Sequence, residues 1–193
     1  PSLADKVIAH VQEITDYRSV PRLDFEVALQ SGMIQMVGDE VLDAFLDAVK
    51  TQALYTEPSK LKIVYTPLHG TGNIPVRRIL SDYAVSVVEE QAVPDGNFST
   101  VRSPNPEEKD ALNLAIEQAK TEAADLVLGT DPDCDRVGIA VRHNGDYVLL
   151  TGNQVGALLA DFVLRFKADT LNEKSTLVKT IVTNDLGANI GRK

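Results

Sequence analysis

Asp125-Leu126-Val127-Leu128-Gly129-Thr130-Asp131-Pro132-Asp133-Cys134-Asp135-Arg136-Val137-Gly138-Ile139-Ala140-Val141 is the stretch on which the fold turns. Its two ends are short apolar runs that read as buried strands, and its middle is a loop carrying three aspartates at alternate positions. Immediately downstream, His143-Asn144-Gly145-Asp146 predicts a tight hairpin, because Asn-Gly supplies the positive φ angles of a primed turn. Upstream, the spacing of Val41, Leu42, Phe45, Leu46 and Val49 predicts a helix from Asp39 to about Thr51, after which Pro58 and Ser59 punctuate the chain. Leu61-Lys62-Ile63-Val64-Tyr65 then reads as a strand, Ile74 to Leu80 as a helix and Ala84 to Val88 as a second strand. Asn105 is expected to cap a helix over Glu107 to Thr121, with Pro106 at its first position and Glu108 as the reciprocal capping side chain. Strand, helix, strand, helix, strand implies an α/β fold: three layers, α/β/α, around a mainly parallel mixed sheet closed by an antiparallel hairpin.

The alternation restarts after Thr151. Val155 to Phe166 has helical spacing, Thr176 to Thr183 reads as a strong strand, and Leu186 to Ile190 begins a further helix before the chain stops at Lys193. A strand with nothing to pair with does not complete a domain. The sequence therefore predicts one α/β domain over residues 39–150, the start of a second similar one over 151–193, and a tail of a preceding domain or a linker over 1–38. That first stretch has only weak helical spacing, interrupted by Pro21 and Gly32. The chain opens on Pro1 without an initiator Met, which fits a piece excised from a longer protein.

Composition narrows the function. Asp and Glu number 28 against 19 Lys and Arg, a net charge of −9, so the broad basic footprint of a nucleic-acid or anionic-membrane binder is missing. Neither a membrane span nor a signal pattern is present, and the single cysteine, Cys134, allows no intrachain disulfide; a cytoplasmic protein is expected. Trp is absent and aromatic residues are 5% of the chain, which argues against an aromatic sugar or base platform.

The acidic loop is the strongest candidate site. Asp131, Asp133 and Asp135 follow a buried strand, where ligand sites of α/β folds form, and in an extended loop they could converge on one hard divalent cation. An EF-hand loop starting at Asp131 would need Gly at its sixth position and Glu at its twelfth, which here are Arg136 and Arg142. A haloacid-dehalogenase-type phosphatase would use Asp131 as nucleophile and Asp133 as acid/base, but normally carries Thr or Val where this chain has Asp135. A non-enzymatic α/β metal-binding module is a further alternative. Two other segments carry candidates. His69, Gly70 and Thr71 lie in a Gly-flanked loop after the first strand, where backbone N–H groups could meet an anion or where the glycines simply permit a chain reversal. Arg136, directly after the third aspartate, could brace the acidic loop by a salt bridge.

The stretch Gly129 to Gly138 resembles the metal loop of the α-D-phosphohexomutases, the phosphoglucomutase/phosphomannomutase family. The usual pattern there, Asp-Gly-Asp-Gly-Asp-Arg, becomes Asp-Pro-Asp-Cys-Asp-Arg here, keeping every ligand and the Arg. Thr66-Pro67-Leu68-His69-Gly70-Thr71-Gly72 and Pro104-Asn105-Pro106-Glu107 are similar to further segments of the family's second domain, in the branch of bacterial phosphoglucomutases and phosphopentomutase-like enzymes. Leu149 to Gln154 and Lys179 to Thr183 are similar to the start of its third. The resemblance implies a sugar 1-phosphate/6-phosphate mutase, most naturally for glucose, working through a phosphoserine and a hexose bisphosphate intermediate. It implies Mg²⁺ on Asp131, Asp133 and Asp135, a phosphate or substrate contact by Arg136, and a weaker role for Lys179 near the reacting hydroxyl. Cys134 is expected to be a spacer facing away from the metal, since a thiolate suits a hard cation poorly. No Ser-His-Asn-Pro motif for the phosphoserine occurs in the chain, and neither do the family's sugar loop and C-terminal phosphate loop. The phosphoserine would therefore come from outside it, and mutase turnover by this chain alone is not expected.

Overall fold

The apolar runs that flank the acidic loop pair with each other and with the strand ahead of them. In the computed structural model, which describes residues 2–57 and 59–192, β1 is Lys62–Thr66, β2 Ala84–Val87, β3 Leu126–Thr130, β4 Val137–His143 and β5 Asp146–Leu150. They form one mixed sheet in the order β2-β1-β3-β4-β5. β1 pairs parallel with both β2 and β3, while β3–β4 and β4–β5 are antiparallel. The expected α/β fold with a closing hairpin is what forms, and its pairings divide evenly between parallel and antiparallel. Asn144 and Gly145 take φ of 49° and 83°, the primed turn that the Asn-Gly pair predicts. Pro58, used above as punctuation, lies outside the described residues, as do the terminal Pro1 and Lys193.

The chain divides into two compact units, Pro1–Val41 and Leu42–Lys193. The first contains α1 (Ser2–Glu13) and α2 (Phe25–Gln30), more regular structure than its interrupted spacing predicts. Asp24 makes the second helix possible by accepting the backbone N–H groups of Glu26 and Val27. Helix α3 (Asp39–Lys50) matches its predicted span.

In the larger unit, alternate residues of the strands feed opposite faces of the sheet. Val64, Val127 and Ala140 pack with Leu112, Ala115, Ile116 and Ala119 beneath α5 (Asn113–Glu122). Tyr65, Val87 and Ala92 pack on the other face with Val76 of α4 (Asn73–Ile79). Each buried Val, Leu or Ile side chain here contributes about 1.5–3 kcal/mol relative to exposure. Tyr147 ties β5 to the end of α5, its hydroxyl reaching the carbonyl oxygens of Ala119 and Ala124.

Two predicted elements come out differently. The helix expected from Glu107 begins only at Asn113, after a 3-10 turn over Lys109–Leu112. Asn105 accepts the Glu107 N–H in a local turn, and Glu108 accepts from the Asn105 and Ser103 side chains instead of closing a capping box. The cause is tertiary: Pro106 is fully buried, with its carbonyl laid directly over Gly138 of β4, so the segment follows the sheet surface and cannot wind into a helix there. The strand expected over Thr176 to Thr183 is not formed. The stretch is irregular and ends in a turn, with Val178, Ile181 and Val182 exposed at 86%, 98% and 83%. A β-branched run becomes a strand only when a neighbour supplies the ladder, and none lies beside this one among the described residues. It follows α6 (Gly152–Phe166), which Thr151 and Gln154 start with a reciprocal capping box, and precedes α7 (Leu186–Gly191).

The close approach at Gly138 predicts that Gly138→Ala lowers stability by about 1–3 kcal/mol, since the new methyl must displace the Pro106 backbone. Urea denaturation checks it. Tyr65 predicts an alkaline limit. Burial pushes its phenol up to about 12, outweighing the hydrogen bond with Thr130 that lowers it. The folded state thus holds this proton more tightly than the unfolded chain, where Tyr titrates near 10. Its contribution is complete below pH of about 10 and is lost as pH rises towards about 12. Tyr65→Phe should flatten the fall in melting temperature across that window.

Candidate metal centre

The position of the site follows from the order of the strands. From β1 the chain passes through α4 to β2 on one side, then returns through α5 to β3 on the other side of β1. The carboxyl ends of β1 and β3 therefore lie side by side, Thr66 opposite Gly129, at a point where the winding reverses. Loops leaving such a pair of strand ends diverge and open a crevice. Here they are residues 66–72 and 130–136.

The second loop is a tight turn, where the sequence suggested an extended one. Cys134 donates its N–H to the Asp131 carbonyl at 3.0 Å and takes φ of 61°, and Arg136 donates its N–H to Asp131 Oδ1 at 2.9 Å. This curl, rather than strand-like alternation, brings carboxylate oxygens of Asp131, Asp133 and Asp135 within 4.8 Å of one another. Asp131 is 7% exposed, whereas the other two face solvent.

The carboxylates are electrostatically unequal. Burial raises the Asp131 pKa, but the Arg136 N–H and hydrogen bonds shared with Asp135 and Asp133 outweigh it and hold it below the usual range. Asp135 is pushed up by the hydrogen bond it shares with Asp131 and by the negative charges of Asp133 and Asp131. A proton on Asp135 thus relieves the repulsion, which is the office a cation could perform. Three hard oxygen donors within 4.8 Å of one another suit Mg²⁺ or Ca²⁺, so the residues fit a hard divalent ion. Cys134 adds nothing to that set. A Cβ on Gly72 would meet its Sγ together with Tyr65 Oη and Thr130 Oγ1, which places the thiol against the loop after β1.

That loop holds the acidic turn from behind. Thr71 donates both its N–H (2.9 Å) and its hydroxyl (3.2 Å) to the Pro132 carbonyl, and Gly70 lies so close to Pro132 that a Cβ there would overlap its backbone. Two N–H groups of the Gly-flanked turn are spent internally, Gly70 on the Pro67 carbonyl and Thr71 on Pro132. His69 is buried and both its ring nitrogens are engaged, Nδ1 with the Val93 carbonyl and Nε2 with Thr100 Oγ1. The Arg136 guanidinium, 56% exposed, has Nε 3.8 Å from Asp131 and 3.9 Å from Asp135, outside hydrogen-bond range of both. Its side chain is thus an ion-pair neighbour of the triad, with donors open to solvent.

Asp131, Asp133, Asp135, Arg136, Gly70 and Thr71 are brought together at the carboxyl ends of β1 and β3. Lys179 is not tied to this group. In place of the predicted strand it sits on the irregular segment after α6, where Nζ bonds the Thr183 carbonyl at 2.9 Å and pairs with Asp185 at 3.2 Å. Sequence reasoning missed Gln91, fully buried, which accepts the Thr66 hydroxyl at 2.6 Å and donates to Thr100 at 3.1 Å. It also missed an apolar cavity of about 450 Å³ between α3 and α4 that reaches Asp133 and Cys134. Neither had a signal in the linear pattern.

Comparison with known proteins bears on the same region. The family model described as phosphoglucomutase/phosphomannomutase, alpha/beta/alpha domain II, matches residues 42–145, more than half of the chain. The chain is similar to a probable phosphomannomutase of Haemophilus influenzae, 36% identical over an alignment covering 100% of this chain and 37% of that protein. It is also similar to the phosphoglucomutase of Staphylococcus haemolyticus, 38% identical over 80% of this chain and 29% of that one. It thus spans about a third of the length of these relatives. Among solved structures, a phosphoglucomutase/phosphomannomutase family protein of Burkholderia thailandensis superposes with a TM-score of 0.54 at 25% identity, over 65% of this chain and 26% of that one. The acidic turn and the loop behind it both fall inside the stretch matched by the family's domain model, and on that match the chain belongs to the phosphoglucomutase/phosphomannomutase family.

Proposed function

We propose that this chain carries the cation-binding centre of a Mg²⁺-dependent phosphohexomutase that interconverts sugar 1-phosphates and 6-phosphates, glucose phosphate first among them. The observation that carries the reading is the convergence of Asp131, Asp133 and Asp135 at the switch point between β1 and β3, inside the family's domain II. In this reading the three carboxylates hold Mg²⁺, which when bound neutralises charge on the transferring phosphoryl group. Arg136, with donors open to solvent beside the triad, engages a phosphate oxygen of the hexose phosphate or hexose bisphosphate through its planar fork. Gly70 and Thr71 fix the acidic turn by holding Pro132. A phosphoserine outside this chain completes the centre. Residues 39–150 form the metal-bearing domain in this reading, residues 151–193 open a second of the same kind, and residues 1–38 belong to a preceding one. The net charge of −9 supports a small-molecule partner over nucleic acid or an anionic membrane. No helix among the described residues is long and apolar enough to cross a membrane. The cysteine usage supports a cytoplasmic setting.

Calorimetric titration with MgCl₂ tests the reading. Wild-type chain binds Mg²⁺, and ligand at about 100 times Kd adds about 2.7 kcal/mol of stability. Asp131→Asn keeps an oxygen to accept the Arg136 N–H but removes the buried charge, so affinity falls at least about tenfold with an unchanged circular dichroism spectrum. A wild-type chain whose melting and heat of mixing ignore Mg²⁺ overturns the assignment. A coupled assay tests the placement of the phosphoserine: the chain alone, with Mg²⁺ and a hexose bisphosphate, yields no glucose 6-phosphate from glucose 1-phosphate, and measurable conversion would refute it.

A further inference from the structure

The loop that backs the acidic turn is anchored at a distance. Leu68 and His69 both take left-handed backbone conformations, φ 47° and 65°, which side chains other than glycine adopt at a cost. Such a pair persists only where its surroundings over-determine it. The restraint here is a continuous run of hydrogen bonds. The Val93 carbonyl can only accept, so His69 Nδ1 carries the proton and donates at 2.9 Å. Nε2 pairs with the Thr100 hydroxyl at 2.7 Å, as the acceptor when the ring is neutral. Thr100 Oγ1 in turn accepts the Gln91 amide at 3.1 Å, and Gln91 Oε1 accepts the Thr66 hydroxyl at 2.6 Å. The His69 N–H donates to the Gln91 carbonyl at 2.9 Å, and Phe98 meets the ring edge-on at a centroid distance of 6.1 Å.

We propose that His69 is a positioning residue for the acidic turn: by clamping the loop after β1 onto residues 91–100, it sets Gly70 and Thr71 against Pro132 and thereby sets the spacing of Asp131, Asp133 and Asp135. The inference rests on the reading of those aspartates as cation ligands. With both ring nitrogens occupied, His69 has no free group for substrate or phosphate. Its influence passes through one residue of chain to Gly70 and two to Thr71, whose N–H and hydroxyl share the Pro132 carbonyl. Pro132 lies between the first two ligands, so a shift of the backing loop moves Asp131 and Asp133 relative to each other.

Amide hydrogen exchange of the full chain in EDTA tests the clamp without any metal. In His69→Ala the Thr71 and Arg136 amides, which report the Pro132 and Asp131 contacts, exchange at least about tenfold faster than in wild type, while those of Val64 and Val127 in the sheet do not change. His69→Asn restores slow exchange, because Asn tolerates the left-handed backbone and offers a carboxamide N–H to Val93. Thr100→Val, at an exposed position, repeats the loosening and decides the matter if His69→Ala does not fold. Wild-type exchange at Thr71 and Arg136 in these variants, equal acceleration throughout the sheet, or no recovery in His69→Asn each overturns the proposal. In a parallel MgCl₂ titration His69→Ala weakens binding about tenfold and His69→Asn recovers it. A wild-type chain that binds no Mg²⁺ refutes the metal reading instead, and the exchange rates still judge the clamp.

Discussion

Three carboxylates with oxygens inside 4.8 Å of one another repel, and the surroundings of the acidic turn are organised to hold them there. A like-charge pair at 4 Å costs about 1 kcal/mol in bulk water and about 4 kcal/mol at the effective dielectric near a protein surface. That repulsion is met by backbone donors. The Arg136 N–H holds Asp131 Oδ1, and the Cys134 N–H closes the turn onto the Asp131 carbonyl. The residual strain surfaces as a raised pKa at Asp135, caused first by its hydrogen bond with Asp131. Only a rigid support keeps such a turn from springing open, and the parallel pair β1–β3 provides it.

Support of that kind depends on close backbone approaches at two glycines. Gly70 lets the loop after β1 lie directly on Pro132, and Gly138 lets Pro106 lie on β4 just beyond the acidic turn. The two contacts grip the turn from opposite ends of the segment, and each excludes even a methyl group. The hydroxyls of Tyr65 and Thr130, 2.8 Å apart at the ends of β1 and β3, link the two strands directly below it. Fold and site are thus the same set of contacts, which explains why the family's domain model and the acidic turn occupy one stretch of chain.

Most of this was legible in the linear pattern where the cause was local. The Asn144-Gly145 turn, α3 and the three strands of the parallel pairs follow from residues within a few positions of each other. The aspartates were visible as ligand candidates because alternate carboxylates after a buried strand are rarely explained otherwise, but their convergence through a left-handed Cys134 was not. Capping rules placed a helix start at Asn105, and burial of Pro106 against Gly138 overrode them. Thr176 to Thr183 has the composition of a strand and stays irregular, since composition supplies propensity and a neighbour supplies hydrogen bonds.

Sequence alone therefore determined the alternation of strands and helices, the family resemblance and the identity of the acidic residues, because each depends on side-chain type and spacing along the chain. Tertiary structure decided which groups meet. Thr66 and Gln91 stand 25 residues apart, His69 and Thr100 31, and Thr71 and Pro132 61, and these contacts exist only after parallel pairing has set two strand ends side by side. The role of His69 shows the difference most clearly. Its sequence context left an anion contact open, whereas the folded chain uses both ring nitrogens within the protein, because the carbonyl and hydroxyl that occupy them arrive from a segment no local pattern connects to it.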